Sequence, residues 1–240
     1  MLKPNIVKTC DFSDNWKEHA NYWEHSAPQG SEEWKNIRIG RVNTSDSGAL
    51  VGESNFKTPE QTGKIIAGLE TVPDNAAMQH GHKYEPYARK WYEKQYNCKV
   101  KELGLCVCKW DITIGASVDG IVIDTDGIIE VKSPQKMYKP LQNYIDHVNR
   151  GWKPEAGYKD HIWKTHYSQM QHAMFVLNKK WCDYIVYCTS TGQIFTQRIK
   201  FDMEFWKQHY LKIKENYNLY VKPHILNTEY PISPLSIKMN

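Results

Sequence analysis

The chain has 240 residues, 40% of them hydrophobic, 24% charged and 12% aromatic. That composition excludes a disordered tail, a collagen-like fibre and a disulfide-stapled miniprotein, and the length suffices for a single domain with a sizeable core. The net charge of +4 permits an anionic partner without demanding one.

In chain order, Ser31 is placed to cap a helix over 32–40 with acids in its first turn, and Ser45-Asp46 to cap a second, short helix. Thr58-Pro59-Glu60-Gln61 is a capping box with proline at the first helical position, opening a helix to about residue 70. Tyr84, Ala88 and Trp91 recur at helical spacing, and Pro86 is expected to kink or start that helix. The period then changes. Residues 99–103, 105–110, 112–123 and 128–132 read as strands of a meander, with Asp124-Thr125-Asp126-Gly127 as the final turn. A helix over about 160–178 and a strand over 183–188 follow. Trp206, Tyr210, Ile213, Tyr217 and Tyr220 or Val221 mark a last amphipathic helix. Helices on both sides of the strands in sequence predict an α/β fold, a central mixed sheet flanked by helices.

The longest apolar runs are about five residues, against the roughly 20 that span a bilayer, and residues 1–5 hold no apolar signal core. A soluble intracellular protein without a membrane partner is expected. The six cysteines include no C-x-x-C pair, so neither zinc nor an iron–sulfur cluster is expected, and they read as reduced structural thiols. Cys106 and Cys108 alternate with Leu105 and Val107 and are expected to share one sheet face. Most of the nine tryptophans and fifteen tyrosines recur at helical spacing and read as core.

The most informative stretch is Asp119-Gly120 followed by Glu130-Val131-Lys132. With Ile123 opposite Ile128, Ile121 faces Glu130 and Asp119 faces Lys132. Alternation then puts Asp119, Glu130 and Lys132 on one face, and Val122, Ile129 and Val131 on the other as a core stripe. Two carboxylates converging on one point bind a hard cation such as Mg²⁺, which acidifies water and polarises a phosphate; a nearby lysine orients that water. The same short pattern also fits a surface hairpin with one Asp–Lys pair and a solvated glutamate.

Asp119, ten intervening residues and Glu130-Val131-Lys132 resemble the PD-(D/E)xK nuclease core, with Val118 in place of the proline. More specifically, the chain resembles the lambda-exonuclease and YqaJ-like viral recombinase family, in four pieces matched in order. Trp34, Arg38, Gly40 and Ser45 resemble its W…R-x-G…S segment, and Gly81, Glu85, Ala88 and Arg89 its G…E-x-x-A-R helix. The hairpin is third, and Gln169-Met170-Gln171 resembles its Q-x-Q helix, with His166 where a tyrosine is frequent. The matched region runs from about residue 30 to residue 190; residues 1–29 and 195–240 resemble nothing specific.

The resemblance implies a restriction-endonuclease-like fold. It implies a catalytic set of Asp119, Glu130, Lys132, Gln169 and Glu85. The implied ligands of Mg²⁺, with Mn²⁺ as the alternative, are Asp119, Glu130, the Val131 carbonyl and Glu85. Arg38 and Ser45 would hold a 5′-phosphate, Met78 would wedge the duplex end, and His166 would lie against DNA. Read by themselves, Glu85 is an ordinary helix carboxylate, Arg38 a surface cation, Ser45 a cap, Gln169 a buried amide and Met78 a core side chain. His80 and His82 read as solvated or DNA-proximal. The implied function is 5′-to-3′ digestion of linear double-stranded DNA to 5′-mononucleotides, leaving 3′ single strands for recombination or replication. A homo-trimer and a single-strand annealing protein are implied partners, in the host-cell cytoplasm or at a site of viral replication. The alternatives are an endonuclease of the same superfamily and a nuclease-dead DNA-binding subunit.

Overall fold

A computed structural model describes residues 15–73 and 75–225; Cys10 and the first five residues lie outside them. Two short strands, β1 (Trp16–Glu18) and β2 (Tyr22–His25), precede three helices, α1 (Glu32–Arg38), α2 (Thr44–Leu50) and α3 (Pro59–Ile66). Ser31 caps α1 by accepting from the Trp34 amide, and Thr58 with Gln61 closes the reciprocal box on α3. Asn43 rather than Ser45 is the N-cap of α2, so Ser45 and Asp46 lie in its first turn. α3 stops at Ile66, well before residue 70, because Gly68 takes a φ of 72° and turns the chain away.

The longest helix, α4 (Ala76–Tyr96), continues through Pro86. The proline removes one backbone donor. The helix survives because Ala88 and Tyr92 anchor its second half against Ile129, Val131 and Ile185.

Five short strands come next: β3 (Val100–Lys101), β4 (Cys106–Cys108), β5 (Gly115–Ala116), β6 (Gly120–Val122) and β7 (Gly127–Lys132). They do not form the expected meander. β4 and β5 join the first two strands in an antiparallel sheet of order β1-β2-β4-β5. The run over 112–123 breaks between sheets because side chains take its middle carbonyls. Thr44 Oγ1 donates to the Ser117 carbonyl at 3.3 Å and Gln29 Nε2 to the Val118 carbonyl at 2.9 Å. Cys106 and Cys108 do share a face, both buried in the main core, while Leu105 and Val107 pack on the other side.

After β7 come α5 (Lys139–Asn149), which the sequence pattern missed, and α6 (Lys164–Leu177), then β8 (Trp181–Cys188) and β9 (Gln193–Lys200). The larger sheet has the order β3-β6-β7-β8-β9, with β7 and β8 parallel and the remaining pairs antiparallel. The two helices form the crossover that a parallel pair requires. α6 starts later than residue 160 and touches both sheets as well as α2. It also packs on the last helix, α7 (Met203–Asn216), which runs on into a π-helical turn over Tyr217–Val221. Gly48 lets α2 and α6 approach closely: a Cβ there would sit 2.9 Å from Thr165 Cα.

Candidate active site

β6 and β7 pair Gly120 with Ile129, Ile121 with Ile128 and Val122 with Gly127. That is two residues from the expected register. An even slip keeps every side chain on its face, so Val122, Ile129 and Val131 still form one buried stripe under α4. Glu130 projects to the opposite face and is only 2% exposed. Its strand neighbour Lys132 places Nζ 2.5 Å from Glu130 Oε1 and 3.1 Å from Gln169 Oε1 on α6. Asp119 sits in the link that enters β6, where its Oδ2 accepts from the Val131 amide at 2.6 Å. The Val131 amide is thereby engaged; its carbonyl, the expected ligand, is a separate group.

Glu85 arrives from α4 on the same side. Arg89, one turn further along α4, donates to the Asp119 carbonyl at 3.0 Å and reaches Glu85 Oε1 at 3.5 Å. It also pairs with Glu102 at 2.7 Å. Arg89 was visible in the sequence only as part of a motif, with no role attached.

Burial and crowding set the charge of this group. Burial raises the Glu85 carboxyl above its usual range, and Asp119 pushes it further. Burial also raises Asp119, partly offset by Lys132 and the Val131 amide. Glu130 is raised by burial and by Asp119 against the pull of Lys132. Lys132 is held above its usual value because Glu130 and Asp119 outweigh its desolvation. Among the described residues no three His, Cys, Asp or Glu side chains are drawn into a finished cation cage. Here the Lys132 ammonium is what counters Glu130. The donors are nevertheless hard carboxylate oxygens whose mutual repulsion a divalent cation relieves, and in chemistry they fit one.

His166 lies behind Lys132. Its Nδ1 is 2.8 Å from the Tyr184 hydroxyl, which in turn is 2.6 Å from that of Tyr138. Burial and the Lys132 charge keep this imidazole neutral. Met78 stands in the first turn of α4, 37% exposed.

Arg38 and Ser45 do meet: Nη2 donates to Ser45 Oγ at 3.0 Å and lies 3.6 Å from Asp46. The guanidinium stacks over Trp34 at 4.1 Å. Trp34 in turn donates from its indole to Ser117 Oγ at 3.0 Å, two residues before Asp119. The Arg38 pocket and the carboxylate group are therefore mechanically joined. Trp34 was in the matched motif; nothing in the sequence pointed to Ser117. Arg38 Nε is buried and without a partner among the described residues, a donor that an anion could take up.

Residues 33–193 match the YqaJ-like viral recombinase domain. No curated protein matches the chain. Among solved structures, it resembles the alkaline exonuclease LHK-Exo from Laribacter hongkongensis at 28% identity and a TM-score of 0.62, covering 82% of this chain and 95% of that one. The same exonuclease in complex with dAMP matches at 27% identity and a TM-score of 0.63, with the same coverage. A phage-related exonuclease from Haemophilus somnus 129PT shares the fold at 16% identity and a TM-score of 0.53, over 80% of this chain and 97% of that one. The fold is of the PD-(D/E)xK type.

Proposed function

Because the chain belongs to the YqaJ-like viral recombinase family, we propose that this nuclease is a Mg²⁺-dependent exonuclease that digests linear double-stranded DNA from a 5′ end. Its products are 5′-mononucleotides and a 3′ single strand. The observation in support is the gathering of Glu85, Asp119 and Glu130 around Lys132 and Gln169. Asp119, Glu130, Glu85 and the Val131 carbonyl are the donors that would hold Mg²⁺, or Mn²⁺ in its place. Such a cation polarises the scissile phosphate and acidifies water.

The protein's own groups supply the rest. Lys132 has three N–H bonds, of which Glu130 and Gln169 take two; the third is left for the attacking water or a phosphate oxygen. Gln169 fixes the ammonium in place. Water attack on phosphorus with cleavage of the P–O3′ bond releases the terminal nucleotide and leaves a new 5′-phosphate end. Arg38 and Ser45 receive that phosphate, and Met78 abuts the last base pair. His166, being neutral, backs Lys132 and borders the DNA without adding a second cation. A ring-shaped homo-trimer, a single-strand annealing partner, and work inside an infected cell in recombination or replication rest on family resemblance alone.

End-labelled linear, nicked and closed-circular duplexes, each with and without Mg²⁺, test this. Label should leave linear DNA as mononucleotide, and only with Mg²⁺. Cutting of the closed circle would make the protein an endonuclease. Binding without any cutting would make it a nuclease-dead subunit.

A further inference from the structure

The first turns of α5 and the segment 150–163 enclose a cleft of about 520 Å³, lined among others by Asn143, Tyr144, Trp152, Tyr158, Asp160 and His161. Tyr144, Tyr158 and His161 lie nearly parallel, at interplanar angles of 16° or less, with 3.7 Å between the Tyr144 and His161 ring centres. Trp152 stands edge-on to Tyr144 and Tyr158, at 6.0 and 5.2 Å, and is 42% exposed. A half-open slot with flat aromatic walls suits a planar ring.

His161 adds a directional feature. Gln197 Nε2 donates to the Tyr158 carbonyl at 2.9 Å, which turns Gln197 Oε1 to accept from His161 Nε2 at 2.6 Å. The ring proton is thereby held on Nε2, and Nδ1 is an acceptor. That nitrogen is buried and has no partner among the described residues, a costly condition that a ligand N–H relieves. Asn143 and Asp160 offer further polar groups at the rim.

The surroundings favour an anionic strand. Residues 136–164 carry six lysines and arginines against three acids. The helix that lines the cleft, α5, also starts beside the nuclease centre. Tyr138, the N-cap of α5, lies 5.3 Å from Trp163 and 6.4 Å from His166. His166 in turn borders Lys132.

We propose that this cleft takes the base of a deoxynucleotide, stacked on its aromatic wall and donating an N–H to His161 Nδ1. The choice of ligand rests on the DNA-nuclease function proposed above. The base belongs either to the single strand that digestion leaves or to the released mononucleotide.

The test measures affinity of the full chain in EDTA, where no cutting occurs, for a single-stranded deoxyadenylate 12-mer and for its abasic counterpart of equal charge. The base-bearing strand should bind at least about tenfold more tightly, and Trp152→Ala should remove most of that margin, as loss of one stacked base does. Competition by dAMP identifies the released nucleotide as the occupant; binding of the strand without such competition identifies the product strand. Equal affinity for the two strands overturns the proposal, as does full retention of the margin in both Trp152→Ala and His161→Phe. A base preference lost in Trp152→Ala, in a protein that cuts no DNA, would leave this site standing and remove the nuclease instead.

Discussion

Arg89 holds the backbone of Asp119 in place, its guanidinium donating to the Asp119 carbonyl at 3.0 Å while its other end reaches Glu85 at 3.5 Å. One side chain thus sets the spacing of two acids that come from different elements. Arg89→Lys keeps the charge and loses the fork. It should lower kcat roughly 10- to 100-fold, the usual cost of losing a group that orients metal ligands, and raise the Mg²⁺ concentration for half-maximal rate. Unchanged kcat and metal dependence in a folded variant would show that Arg89 serves only the fold.

Asp119→Asn and Glu130→Gln should each reduce cleavage by about 10³-fold or more while the melting temperature changes little or rises. Both carboxyls are raised by burial, and Glu130 also by the Asp119 charge, so removing one charge relieves the folded state. Single-turnover rates beside thermal melts check this. Near-normal rates in either variant would remove the hairpin from the chemistry.

Arg38→Ala should abolish a preference for 5′-phosphorylated over 5′-hydroxyl duplex ends, with the rate on 5′-hydroxyl ends nearly unchanged. The guanidinium makes charge-assisted bonds to a phosphate that a hydroxyl cannot match. The competing role is the pair with Asp46 at 3.6 Å. Initial rates on both ends decide: equal wild-type rates mean that Arg38 holds α1 to α2 and nothing more.

Acid should weaken the fold through His172 and His209. Burial lowers His172 from the ordinary value to about 3 and His209 to about 4, and neither ring nitrogen of His172 has a partner among the described residues. The unfolded chain therefore binds more protons below about pH 6.5, the ordinary histidine value. Stability is full above that pH and is lost as pH falls toward the folded values, by about 2 kcal/mol at pH 5 for His172 alone. His172→Phe, packing on Trp206 as the imidazole does at 5.2 Å, should flatten the loss between pH 7 and 5 in urea melts. An unaltered slope would place the acid sensitivity elsewhere.

The shared face of Glu130 and Lys132 was legible in the sequence because side-chain parity in a strand has period 2 and tolerates an even slip; Asp119 joins them from the link before β6, held by the Val131 amide. The caps at Ser31 and Thr58 were legible because they are local. The sheet partition was not. It depends on Thr44 and Gln29 donating to carbonyls at Ser117 and Val118, contacts that span 73 and 89 residues. β9 reads Gln-Ile-Phe-Thr-Gln-Arg-Ile-Lys, without clean alternation, and lies at the edge of its sheet, where one buried position in eight suffices. α5 did carry a signal: Leu141, Tyr144, Ile145 and Val148 stand at helical spacing. Pro140 near its start belongs to the first turn. The burial of tryptophan and tyrosine was legible for Trp206 and Tyr92 but not for Trp110, Trp152 and Trp163, which stay substantially exposed.

The contact between Gly48 and Thr165 has a bearing on step length. Gly48 lies one helical turn from Ser45, and Thr165 one turn from Gln169. The α2 and α6 backbones meet there with no room for a methyl group. If, as proposed, the terminal phosphate is held near Ser45 and the scissile one near Gln169, the close contact of the α2 and α6 main chains is a ruler between grip and blade. The cut then falls at one invariant distance from the end, whatever bases lie between. Uniform mononucleotides from duplexes of any composition would be the signature of that ruler, and a Gly48→Ala chain that still folds should yield a mixture of lengths.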